Sequence, residues 1–314
     1  MGFPGSPAVN SRVVVLLATR NGQRWLADQL ETIMSQQGID LRVVALDDES
    51  TDGTREWLVG QAAKDPRLEV MPSMGRSGSA VANFFRLILN VDVDDSDYIA
   101  FADQDDLWLP GKLARHVEIL RATGAAGLSS NVTSFTPDGT RTLIRKSDPQ
   151  RRFDYLLQSP GPGSTFLLTP RLFQLVRDVL KAHYELASQV DFHDSFIYVI
   201  ARSRGWTWHI DPEPTVGYRQ HDANVIGANV GMISAMARLT LIRSGWHRQQ
   251  AIAMARVAVT VAPKPARREL EQVLGLLETN RLQARLRLVA LASQFRRRPR
   301  DRVIIGFLII TGIW

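Results

Sequence analysis

Four short runs rich in aliphatic and β-branched residues, at 12–17, 41–46, 68–71 and 98–102, alternate with stretches of helical periodicity. Trp25, Leu26, Leu30, Ile33 and Met34 mark the first such stretch; 54–63 and 79–90 are the next two. No other feature narrows the fold as much, because strand–helix–strand repeats give parallel strands joined by crossover helices. Ligands on sheets of this kind lie beyond the carboxyl ends of the strands. Two acid clusters stand there: Asp47-Asp48 after one run, and Asp103, Asp105 and Asp106 after another.

Three carboxylates within four residues at a strand end repel one another and resist burial, so they need an external partner. In an extended backbone residues i and i+2 share a face, which directs Asp103 and Asp105 to one point. Convergent carboxylates suit a hard divalent cation, and the cation suits phosphate. A polar turn with one helix-capping acid explains a single carboxylate, not three. Pro110, just beyond Trp108, reads as a helix start. In the cluster 47–54, Asp48 reads as functional, whereas Asp52-Gly53-Thr54 reads as turn and cap. The turn 18–22, Ala-Thr-Arg-Asn-Gly, lets a ligand approach the backbone closely.

Residues 127–218 are more broken, with an apolar strand at 164–169, helices at 171–182 and 194–203, and a strand at 205–210. They read as a mixed, partly antiparallel extension of the sheet. After Asn224 the pattern is almost wholly helical, broken at Ala262-Pro263-Lys264-Pro265. The chain therefore divides into an α/β domain over 10–228 and a helical, basic appendage over 229–314.

The charge divides in the same place. Residues 226–314 carry 15 Lys and Arg against 4 Asp and Glu, and the remainder 23 against 28. An acidic half suits a cation site, and a basic half seeks an anionic surface. The run Arg296-Arg-Arg-Pro-Arg-Asp-Arg302 precedes an uncharged tail, 303–314, ending in Trp314. That tail falls well short of the roughly 20 residues a spanning helix needs. It suits a helix lying in an anionic bilayer surface; the competing reading is a helix docked in protein, with its arginines solvated. The aromatic interleaving of a single-strand nucleic-acid groove is missing, so no nucleic-acid partner is expected. No cysteine is present, which removes disulfides, thiolate zinc sites and a cysteine nucleophile. The first twelve residues lack the apolar core of a signal peptide, so a cytoplasmic location is expected.

The ordered set of motifs resembles the inverting, metal-dependent glycosyltransferases of family 2, with the GT-A fold, and especially their rhamnosyltransferase-like bacterial members. The matching pieces are 18–22, 47–54, 75–84, 101–108 with Pro110 and Lys112, 163–165, His193-Asp194, and 218–221 with 227–229. The resemblance implies that Thr19, Asn21, Asp48, Asp103 and Gln104 hold the nucleotide sugar. It implies Asp103, Asp105 and His221 as ligands of Mn2+ or Mg2+, and Asp194 as catalytic base. It further implies a nucleotide-sugar donor, such as dTDP-rhamnose, and a glycan or lipid-linked glycan acceptor of a bacterial surface polysaccharide. A location on the inner face of the cell membrane goes with such an acceptor. Arg20, Ser195 and Asp222 depart from the residues frequent among relatives, which bears on the sugars more than on the reaction.

Two rivals stand beside this reading. A sugar-phosphate nucleotidyltransferase needs a lysine in its first Gly-rich turn, and 18–22 has none. A glycan-binding member without activity has no need to keep Asp103, Asp105, Asp194 and His221 together.

Overall fold

The computed structural model describes residues 11–221 and 244–314. Strands β1 (Arg12–Thr19), β2 (Asp40–Asp47), β3 (Leu68–Val70) and β4 (Tyr98–Ala102) are parallel neighbours in the order β3-β2-β1-β4. Helices α1 (Gln23–Met34), α2 (Thr54–Ala62) and α3 (Ala80–Asn90) make the crossovers. β1 is buried along nearly its whole length, which explains why it reads as an unbroken apolar run rather than an alternating one. Val14 and Leu16 enter one core, and Val13, Val15 and Leu17 enter the other, on the opposite face.

The sheet continues past β4 with antiparallel β8 (Leu167–Leu168), then β6 (Gly127–Phe135), β9 (Trp208–Arg219) and β5 (Leu107–Trp108), while β7 (Arg141–Ile144) pairs with β6. The expected mixed extension is present, with different bounds. The apolar stretch at 164–169 is a 3-10 turn (Gly163–Thr165) followed by the two-residue β8. The strand expected at 205–210 runs on to Arg219 through Pro212 and Pro214. A register shift between Ser130 and Val132 accommodates those prolines, which cannot donate to a regular ladder. Helix α4 (Lys112–Thr123) starts two residues after Pro110, because Gly111 takes the left-handed conformation at its N-cap.

Helices α5 (Pro170–Ala182), α6 (Tyr184–Ala187) and α7 (His193–Ser203) cover one face of the sheet. On α6 and α7 packs α8 (Trp246–Val261); α9 (Lys264–Glu278) packs on α8, α10 (Leu282–Ala290) on α9, and α12 (Pro299–Thr311) on α10 and α11 (Ala292–Phe295). Met254, Leu277, Phe295, Ile305, Ile309 and Trp314 share one continuous core with Phe101 of β4 and Phe196 of α7. The tail is thus docked along one stripe, while Val303, Ile304 and Phe307 stay exposed. Arg297 departs from a solvated basic run altogether. Its side chain and that of Asp154 are fully buried, with Nε 2.6 Å from the carboxylate. No helix among the described residues is long and apolar enough to cross a membrane. The motif residues 227–229, Asp222 and the boundary at 228/229 lie outside the described residues.

Candidate active site

Strand order reverses between β1 and β4, so the loops after these strands diverge and leave a crevice. A cavity of about 760 Å³ occupies it. Its lining includes Thr19, Asp48, Asp103, Gln104, Asp105 and Asp194. Pleating does not bring Asp103 and Asp105 together, because β4 ends at Ala102 and the acids sit on a bend. The bend nonetheless turns both into one cavity.

The neighbours of this acid loop hold it in place. Asp106 is buried and accepts hydrogen bonds from Ser164 Oγ at 2.6 Å and from the Arg219 N–H at 3.3 Å. Arg219 also donates through Nε to the Asp105 carbonyl at 2.9 Å. These contacts bind the end of β9 to the loop and deliver His221, whose Nε2 lies 2.6 Å from Asp105 Oδ2. Trp25 of α1 stacks on the His221 ring with centroids 4.1 Å apart. The histidine expected as a metal ligand is therefore held on two sides.

Gln104 acts on the first turn. Its side-chain amide accepts from the Arg20 N–H at 2.7 Å and donates to the Arg20 carbonyl at 2.9 Å. Gly22 makes room for this amide, since a Cβ there would lie 2.3 Å from Gln104 Oε1 and displace it. Asn21, with φ of 48°, accepts from the Thr51 N–H and joins the first turn to the second. It is not among the residues lining the cavity. Thr19 lines the cavity; its hydroxyl donates to Asp47 at 2.9 Å and its carbonyl accepts from the Asp48 N–H at 2.9 Å. Asp48 accepts N–H bonds from Ser77 and Gly78, fixing the loop before α3.

Asp194 is the second residue of α7, whose N-cap is Phe192, so it does not cap the helix. It accepts from the Ser195 N–H and lies 3.3 Å from Ser159 Oγ. Burial raises its pKa above the ordinary aspartate value, opposed by those hydrogen bonds and by the charge of Lys146. Burial, then the charges of Asp105 and Asp194, push Asp103 up to about 7. His193 is a different case. Burial against Phe84, at 3.8 Å between ring centroids, lowers its pKa to about 3 and keeps it neutral. Gly163 is the companion of that ring, as a Cβ would lie 2.2 Å from Nε2.

Sequence reasoning missed several residues here. Ser159, Lys146 and Asn83, which donates to the Leu46 carbonyl at 3.0 Å, all support or line the site. Only Asn83 carried a local signal, lying within the stretch 75–84, and Asp47, named in the first acid cluster, supports the site through Thr19 and Ser50.

Among the described residues no group of three His, Asp or Glu side chains is placed to enclose a metal ion. The Asp105–His221 pair supplies a carboxylate and an imidazole in contact, with Asp103 in the same cavity. That donor set fits a divalent cation whose remaining positions are filled by ligand oxygens.

The family model for glycosyl transferase family 2 matches residues 14–183. A dTDP-rhamnosyl transferase, RfbG of Shigella flexneri, is 35% identical over 235 residues, covering 74% of this chain and 81% of its own. Among solved structures, Staphylococcus aureus TarS 1–349 in complex with UDP-GlcNAc superposes with a TM-score of 0.55 at 14% identity. That likeness covers 96% of this chain and 91% of the other. A mannosyltransferase from Pyrobaculum calidifontis, in complex with GDP-Man and Mn2+, gives a TM-score of 0.52 at 16% identity, covering 98% and 87%. The mixed sheet with its loops at the β1/β4 crevice is the GT-A fold these structures share. A family match over more than half of the residues and a relative aligned over most of both lengths lead to one conclusion: this chain belongs to glycosyl transferase family 2 and is a glycosyltransferase.

Proposed function

We propose that the enzyme transfers L-rhamnose from dTDP-rhamnose to a hydroxyl of a bacterial glycan, with inversion at the anomeric carbon. The observation that carries this reading is the meeting of Asp103, Asp105 and Asp194 in one cavity, with His221 held on Asp105. The likeness to RfbG supports the choice of donor.

In this reading the turns after β1 and β2 form the nucleotide end of the cavity, with Thr19 and Asp48 along it. Asp103, Asp105 and His221 would hold Mn2+ or Mg2+ against the diphosphate. When bound, the cation stabilises negative charge on the leaving diphosphate oxygens. Asp194 accepts the proton of the acceptor hydroxyl as that oxygen attacks the anomeric carbon from the face opposite the leaving group. The α7 helix mounts this carboxylate rigidly, because Phe196, Ile197, Val199 and Ile200 are fully buried behind it.

The acceptor in this reading is a glycan on a lipid carrier, with α12 resting on the anionic inner face of the cell membrane. Support for the latter comes from exposed Val303, Ile304 and Phe307, beside exposed Leu282 and Leu286 on the neighbouring α10. The domain reading, with catalytic residues 10–228 and a helical region 229–314, assigns chemistry to the first part and placement to the second.

Nucleotide release and thermal shift across a panel of sugar nucleotides test the donor. dTDP-rhamnose with Mn2+ or Mg2+ should give turnover and stabilisation that follow ligand concentration, both reduced by chelation. Preference for another sugar nucleotide, or equal shifts with and without metal, would remove the donor or the metal assignment respectively.

A further inference from the structure

Lys146 follows β7 and lines the same cavity as Asp194. Its backbone is fixed from both sides. Its N–H donates to Asn131 Oδ1 at 2.6 Å, and its carbonyl accepts from Arg297 Nη1 at 3.2 Å. Arg297 is itself buried and paired with Asp154, so the segment carrying Lys146 rests on a rigid base. Among the described residues the Lys146 ammonium makes no hydrogen bond and no ion pair. Its three donors are therefore available inside the cavity.

The charges around it are uneven. Asp103, Asp105 and Asp194 make the centre of the cavity negative, which opposes entry of any anion. Arg20 and Lys146 are lining cations, and Lys146 is the one whose charge acts on Asp194, since nearby Arg297 and Arg298 are paired with Asp154 and Asp148. A flexible lysine stem loses rotamer freedom when confined in this way, and the charge of Asp194 acts on it without a direct hydrogen bond in return. A ligand anion is the partner that makes such a placement favourable.

We propose that Lys146 is an anion-binding residue of the catalytic cavity, taking a phosphate oxygen of a substrate apart from the oxygens facing Asp105 and His221. This rests on the glycosyltransferase reading above, whose donor carries a diphosphate. The phosphate belongs either to that donor or to a phosphate-bearing acceptor, and the two sources separate by experiment.

Wild type, Lys146→Met and Lys146→Arg are compared by calorimetry in Mg2+, first with dTDP and then with methyl phosphate added to the dTDP complex. A lost charge-assisted hydrogen bond weakens binding by about tenfold or more, with partial rescue by arginine. Loss in the dTDP titration assigns Lys146 to the donor diphosphate. Loss only in the methyl phosphate titration assigns it to the acceptor. Both affinities within twofold of wild type overturn the proposal, including the case in which only the acid limb of the activity profile moves, since Lys146 then serves Asp194 alone. Failure of the wild-type protein to bind either dTDP or UDP would instead sink the parent reading.

Discussion

Single carboxylates in this cavity differ in role because their surroundings differ. Asp106 accepts from Ser164 and Arg219 and holds the acid loop, and Asp48 accepts from the Ser77 and Gly78 amides and holds the loop before α3, whereas Asp194, held by the Ser195 N–H and Ser159, lines the cavity from the first turn of α7. Asp194→Asn keeps the shape and removes the base. Turnover is expected to fall by about 10²-fold or more with dTDP affinity unchanged. Near-normal transfer by this variant would move the search for the base to Asp191, which lines the same cavity. Because burial raises the Asp194 pKa, wild-type activity should decline on acidification at a pH above the usual aspartate range. Asp103 makes a stability prediction for the metal-free protein. Its carboxyl holds a proton more tightly when folded, about 7 against 3.8. The stability this contributes is complete below pH 3.8 and is lost as pH rises through about 7. With chelator present, Asp103→Asn should therefore raise the melting temperature more at pH 8 than at pH 5. An equal change at both values would show that Asp103 is not strained by its neighbours.

At the scale of elements, the contact between the link from α11 to α12 and the 3-10 turn Asp154–Leu156 stands out. Arg297, just before α12, meets Asp154 at 2.6 Å and Tyr198 of α7 at 3.1 Å, and Arg202 lies 3.3 Å from the same carboxylate. Removing one partner of a buried pair leaves the other desolvated without compensation. Arg297→Met is expected to cost about 3 kcal/mol or more in urea denaturation, partly restored when Asp154→Asn is added. A cost below about 1 kcal/mol would mean water reaches the pair. The exposed stripe of α12 yields a separate expectation. Glutamates at Val303 and Phe307 should weaken binding to phosphatidylglycerol vesicles by tenfold or more, leaving folding and dTDP binding intact. Binding by the wild type should also weaken with salt. A wild-type protein that ignores these vesicles at low salt removes the membrane reading and leaves the stripe to a protein neighbour.

Across the whole molecule, much was legible in the chain itself. The alternation of 12–17, 41–46, 68–71 and 98–102 with helical periods foretold four parallel strands, because burial on both faces leaves a local mark. The acid clusters at strand ends and the resemblance to family 2 pointed to Asp103, Asp105 and Asp194, which one cavity brings together. Other features left no such mark. β9 passes through two prolines and is a strand only because β6 shifts register to receive it. Lys146 sits in a loop of no distinctive composition, and its place beside Asp194 depends on Asn131 and Arg297. The Arg297–Asp154 pair joins residues 143 apart, so a basic run that reads as solvated contains one fully buried charge. Periodicity reports what each segment buries, since it follows from local backbone geometry. Partners across the fold are chosen when loops close, and that choice belongs to tertiary structure.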